Sequence, residues 1–261
     1  MTWARYVAIG DSFTEGLGDP SPAGPDAWRG WADRVAEALS EETEGFGYAN
    51  LAIRGRLLNA IIDEQLPQAL ALEPDLVSIS GGGNDLLRPG ADVDALANRL
   101  DGAVRELREA GADVILFTGA DPADSPIIGR IRPRLLRFNE RVREIAEDRG
   151  AHVVDQWELR ILRDWRMWDT DRLHMSPRGH HRVALAVQES LGLPVEEDFR
   201  APLAPLPYLS PGATRLWHLR WARTYLTPWV ARRLRGRSSG DLVTAKRPVL
   251  APISDSISGP A

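Results

Sequence analysis

Hydrophobic and polar positions alternate in blocks along the chain. Short apolar runs at Tyr6–Ile9, Tyr48–Ile53, Leu76–Ser80, Asp113–Thr118 and His152–Asp155 predict five buried strands. Helical spacing lies between them. Trp28, Trp31, Ala32, Val35, Ala36 and Leu39 mark one apolar face, with Asp26 as the expected cap. Leu57–Leu72 repeats the pattern, with Pro67 as a break or kink. Asp92–Ala110, closed by Gly111, and Pro133–Arg149, closed by Gly150, predict two longer helices. A last helix is expected from about Pro177 to Leu191. The strands read as continuous apolar runs, so both faces of their sheet should be covered. Strands alternating with helices predict an α/β protein with a doubly wound parallel sheet between helical layers.

A length of 261 residues fits one such domain with an extension. Apolar content of 43% and charged content of 26% are those of an ordinary globular chain. The net charge of −5 argues against nucleic acid as a partner. There is no Cys, which excludes disulfides, thiolate metal sites and a Cys nucleophile. No charged leader with a long apolar core precedes Tyr6, and no apolar run approaches a membrane span; the expectation is a cytoplasmic protein.

Three of the apolar runs end in residues with chemistry. The first passes abruptly into Gly10-Asp11-Ser12, a tight turn at the carboxyl end of a strand, where open α/β sheets bind ligands. The second is followed by Arg54-Gly55-Arg56, and a Gly there offers its N–H to a ligand that approaches the backbone. The third ends in Gly81-Gly82-Gly83-Asn84-Asp85, with the Asn84 amide as a donor. Asp171 and His174 stand just before the last helix. Together these residues supply what acyl transfer needs. His174 can take the proton of Ser12, Asp171 can hold the imidazole in the right tautomer, and the N–H groups of Ser12 and Gly55 with the Asn84 amide would receive an oxyanion. Ser12 taken alone also fits a helix or turn cap. Asp11 and Asp85 read as braces of their turns, and Glu15 and Arg54 flank the site. Gly81-Gly82-Gly83 lacks the Lys of a P-loop, and Asp169, Asp171 and His174 have no further ligand pair at metal spacing. His180 and His181 are adjacent on the last helix and point to different faces, which suits structural or surface roles.

Gly10-Asp11-Ser12, Gly55, Gly82-Gly83-Asn84-Asp85 and Asp171-Arg172-Leu173-His174 occur in this order, followed by Ser176-Pro177-Arg178-Gly179-His180. In these blocks the chain resembles the SGNH hydrolases, also called GDSL esterases and lipases. The resemblance covers about residues 4–192. It implies a three-layer α/β/α fold with a five-stranded parallel, flavodoxin-like sheet. It also implies hydrolysis of small to medium acyl esters through an acyl-enzyme on Ser12, His174 and Asp171, with Ser12, Gly55 and Asn84 as the oxyanion hole and neither metal nor cofactor. A carbohydrate deacetylase or an acyltransferase on the same triad is an alternative, and so is a silent binding domain on the same scaffold.

The expected organisation is a hydrolase domain at 1–193, a Pro-rich connector and basic Trp-containing helical extension at 194–237, and a disordered tail at 238–261. Between Phe199 and Gly240 there are eight Arg and no Asp or Glu. Ser210-Pro211 and Thr227-Pro228 each read as a cap followed by a first-turn Pro, which predicts two short helices. Three placements fit this segment: a strap across its own acidic body, a contact with a partner subunit, or attachment to an anionic membrane surface.

Overall fold

The structure, a computed structural model, describes residues 2–24, 27–122, 125, 128–205, 211–227 and 240–253. Its elements follow the alternating pattern: β1 (Arg5–Gly10), α1 (Ser12–Glu15), α2 (Gly30–Glu42), β2 (Gly47–Asn50), α3 (Leu58–Ala60), α4 (Leu66–Ala71), β3 (Leu76–Ser80), α5 (Gly83–Leu86), α6 (Val93–Glu109), β4 (Asp113–Phe117), α7 (Arg132–Arg149), β5 (His152–Val154), α8 (Pro177–Ser190), α9 (Pro211–Trp221) and β6 (Arg247–Ala251).

The sheet order is β5-β4-β3-β1-β2-β6. The first five strands are parallel, with Val7 level with Ala49 on one side and Val77 on the other. Side chains alternate across the sheet. Val7, Ile9, Val77, Ile79, Val114 and Leu116 face α4, α6 and α7, whereas Tyr6, Ala8, Tyr48, Ile115 and Phe117 face α2 and α8. Two apolar cores, one on each face, therefore make the three layers.

Three expectations need correction. The sheet has six strands, because β6 pairs antiparallel with β2. Residues 247–251, expected in a disordered tail, form this edge strand. Pro248 hides it in the sequence, yet at a sheet edge a missing N–H can point away from the ladder. The sole Lys, Lys246, fastens the strand: its ammonium donates to the Trp28 and Arg29 carbonyls and to Asp33. Second, α2 starts at Gly30, after Trp28, which instead pairs with Pro20 in an isolated bridge. Asp19 accepts from the Gly30 N–H and from Arg34, so the loop's carboxylate serves the helix start. Asp26 lies outside the described residues. Third, the helical stretch around Pro67 is two α-segments joined by a π-turn, Ile61–Gln65, with Pro67 the second residue of α4.

In the C-terminal extension, α9 is the first of the two expected helices and runs on as a π-turn, Ala222–Leu226. Ser210, Pro228 and the second helix lie outside the described residues. No helix among the described residues is long and apolar enough to cross a membrane.

Candidate active site

Ser12 is the first residue of α1, a single turn that begins where β1 stops. Its N–H belongs to the first turn, whose donors have no intrahelical acceptor. Two contacts fix the turn. Asp11 caps α1, its Oδ1 accepting from the Phe13 N–H at 3.1 Å. The buried Gln65 amide pairs with both backbone groups of Gly10, at 2.8 and 2.9 Å. Nothing in the sequence pattern singled out Gln65; the π-turn that carries it was invisible there.

The second block is held by Glu15. This carboxylate, 3% exposed, accepts from the Arg54 N–H at 2.7 Å and grips the Arg54 guanidinium. Glu15 and Arg54 therefore bind each other, and through the backbone they set the turn that carries Gly55. Gly55 has φ +75°, a left-handed conformation that disfavours any side chain.

Asn84 lies in the one-turn helix α5. Its Nδ2 donates to Asp11 Oδ2 at 3.0 Å and to the Arg56 carbonyl at 3.2 Å. One amide thus ties the first block to the turn of the second. Asp85 accepts from the Leu58 N–H, which suits the brace expected of it. A cavity of about 310 Å³ adjoins this corner, lined by Leu57, Asp85, Arg88, Leu96 and Arg99 among others.

In the last block, Asp171 Oδ1 accepts from the Leu173 and His174 N–H groups at 2.9 and 3.0 Å, and Oδ2 accepts from His174 Nδ1 at 2.6 Å. Burial alone would raise the Asp171 carboxyl, but the His174 imidazole and these N–H donors hold it below its ordinary value. An ionised Asp171 places the imidazole proton on Nδ1 and leaves Nε2 as a free base.

The helix that follows holds this loop against the first block. Ser176 caps α8, and Pro177 occupies its first turn. Gly179 is required by close approach: a Cβ there would lie 2.1 Å from the Met167 carbonyl oxygen. His180 is fully buried and accepts from the Trp31 N–H through Nδ1 while Nε2–H donates to the Leu17 carbonyl. Burial pushes its pKa down to about 4, which keeps it neutral. His181 is half-buried and meets Glu197. Leu17 and Gly18 follow Gly16, the C-cap of α1, and Gly18 lies against Met175, the residue after His174. Among the described residues no cluster could hold a metal ion.

A model of the GDSL-like lipase/acylhydrolase family matches residues 8–182. The chain belongs to this family. The match takes in all four blocks and stops inside α8, so α9 and β6 fall outside it. Among solved family-like folds, TesA superposes with a TM-score of 0.59 at 25% identity, covering 71% of this chain and 97% of its own. Axe2, an acetylxylan esterase from Geobacillus stearothermophilus, superposes with a TM-score of 0.62 at 23% identity over 74% of this chain and 96% of its own. The protein YpmR of Bacillus subtilis (strain 168) is 23% identical over 219 residues, 73% of this chain and 83% of that protein.

Asp11, the residue before Ser12, is a buried carboxyl. Burial raises it to about 6; the Phe13 N–H, His174 and Asn84 oppose the rise, and Asp85 adds to it. The folded protein therefore binds this proton more tightly than the unfolded chain, whose value is near 3.8. The stability that Asp11 contributes is full below that value and is lost as pH rises through about 6. His180 works in the opposite sense: its contribution is full above 6.5 and lost as pH falls toward about 4. Replacing Asp11 by Asn removes one of the two. The stability of Asp11→Asn relative to wild type should then fall by roughly 2 kcal/mol between about pH 7.5 and pH 4, as read by urea unfolding. A difference independent of pH would place Asp11 ionised throughout.

Proposed function

We propose that this family member is a serine esterase for small to medium acyl esters. Ser12 Oγ attacks the ester carbonyl carbon, and His174 Nε2 takes the hydroxyl proton. The collapsing intermediate expels the alcohol, which leaves with that proton. Water then attacks the acyl-Ser12 ester by the same route, and the acid departs. Asp171 keeps His174 in the Nδ1–H tautomer and stabilises the imidazolium. The Ser12 and Gly55 N–H groups and the Asn84 amide receive the oxyanion. In the free molecule both Asn84 amide hydrogens have acceptors, and the contact to the Arg56 carbonyl, 3.2 Å, is the longer. A charged oxyanion accepts more strongly than a carbonyl and displaces that contact.

The observation that carries this reading is the 2.6 Å contact between His174 Nδ1 and Asp171 Oδ2, on a loop that packs against the residues following Ser12. A fluorophosphonate probe tests it. Modification should appear at Ser12 in a peptide map, and labelling should be lost in His174→Ala. Absence of labelling with the wild-type protein, or labelling at another Ser, would reject the assignment. A hydrolysis screen over acyl length and over acetylated sugars then assigns the alcohol half, the latter included because an acetylxylan esterase shares the fold.

A further inference from the structure

We propose that α9 is a clasp that seizes Arg172, the residue after Asp171, and thereby fixes the geometry of the Asp171–His174 pair. The inference rests on the roles given to that pair above. It concerns a helix outside the family match, which ends at residue 182.

Arg172 is only 6% exposed, and among the described residues no carboxylate pairs with it. Aromatic rings surround its guanidinium instead. The Trp217 centroid is 3.6 Å away, that of Trp221 4.7 Å and that of Trp165 5.0 Å. Two of the three rings come from α9. Indole faces attract a cation that has lost its water, and the flat guanidinium stacks on them as an ammonium cannot. Arg172 NH1 also donates to His218 Nδ1 at 2.9 Å, again on α9. Burial draws the pKa of Arg172 below its ordinary value and that of His218 likewise, so a neutral His218 acceptor is consistent with the contact.

A second link bypasses the side chain of Arg172. Trp221 is buried, and its indole N–H donates to the Asp171 carbonyl at 3.0 Å. The helix therefore grips the backbone of the very residue whose carboxylate orients His174.

The backbone explains why a grip is needed. Arg172 has φ +57°, in the left-handed region that residues with a Cβ avoid. Such a conformation persists only where the surroundings over-determine it. The Arg172 N–H to Asp169 carbonyl contact holds it from inside the loop, and the three rings hold it from outside. Released, Arg172 would relax, and Asp171 and His174 flank it on the same short turn. Misplacement of reacting groups by about 1 Å costs up to about 100-fold in rate.

The test uses the full-length protein. Trp217→Ala with Trp221→Ala empties the cage, Trp217→Phe with Trp221→Phe keeps ring faces, and Leu219→Ser, at a 61% exposed position of the same helix, is the control. Expected for the Ala pair are a fall in kcat of about 10- to 100-fold with KM changed less than about threefold, and loss of the low-field proton signal of the Asp171–His174 hydrogen bond in NMR spectra. The Phe pair, which keeps the ring faces and loses the Trp221 N–H, should recover part of kcat, and the control should match wild type. Wild-type kcat and an intact low-field signal in the Ala pair would overturn the clasp. If the Ala pair does not fold, Arg172→Lys, which keeps the charge and loses the stack, should lower kcat in the same way; unchanged kcat there would equally overturn it. Failure of the esterase reading is distinguishable, because the wild type would then neither label nor hydrolyse while the low-field signal would still report on the clasp.

Discussion

Ser12→Ala should reduce ester hydrolysis by about 10⁴-fold or more while the circular dichroism spectrum stays native. The size of the loss follows from the reaction proposed: without Oγ there is no acyl-enzyme, and only oxyanion binding and substrate positioning remain. The fold should tolerate the change because Ser12 is half-buried and contributes no apolar surface to either core. Asp11 caps α1, and Gln65 fixes Gly10, so the turn keeps its anchors. His174→Ala should be comparably inactive. His181→Ala should keep substantial activity, since that side chain is half-buried and its partner among the described residues is Glu197, away from the triad. His180→Ala should also keep activity per folded molecule, although it loses two buried hydrogen bonds and with them stability. Initial rates on a short-chain ester, corrected for the folded fraction, make the comparison. Wild-type turnover in Ser12→Ala would refute the mechanism, and a dead His180→Ala beside an active His174→Ala would move the base into α8.

Asn84→Ala should lower kcat by about 10²- to 10³-fold with a much smaller change in KM. An oxyanion-hole donor acts on charge that exists only after attack, so its loss falls on the transition state. The structure adds a second consequence. The same amide connects Asp11 to the Arg56 carbonyl, and these belong to turns far apart in sequence. Removing it deletes a donor to the buried Asp11 carboxylate, so the Asp11 proton should be held more tightly still, and the stability of Asn84→Ala should decline relative to wild type as pH rises through about 6. Steady-state kinetics together with denaturation at several pH values separate the two effects. A change confined to KM would make Asn84 a substrate-binding residue and not an oxyanion donor.

Much of this protein was legible in local pattern. The strand runs and the helices closed by Gly111 and Gly150 depend on neighbours a few positions away, and the described structure has them. The family blocks were legible for the same reason: each is a turn of a few residues whose chemistry is local. The tertiary structure decided how the blocks meet. Glu15 on the Arg54 turn, Gln65 on Gly10 and Asn84 on Asp11 span 39, 55 and 73 positions, and no periodicity records which buried polar group satisfies which. Burial forces these groups to find partners, and only the closed sheet determines which ones are within reach. The same holds at the C-terminus. Local pattern shows Pro248 and little alternation, so it gives no strand; β2 supplies an open edge and the strand forms. Local pattern likewise shows a basic segment with Trp217 and Trp221 four apart, for which its own body, a partner and a membrane all stay open. The contacts with Arg172 and Asp171 arise because that loop presents a buried cation and a free carbonyl, a property of the assembled fold and not of either segment alone.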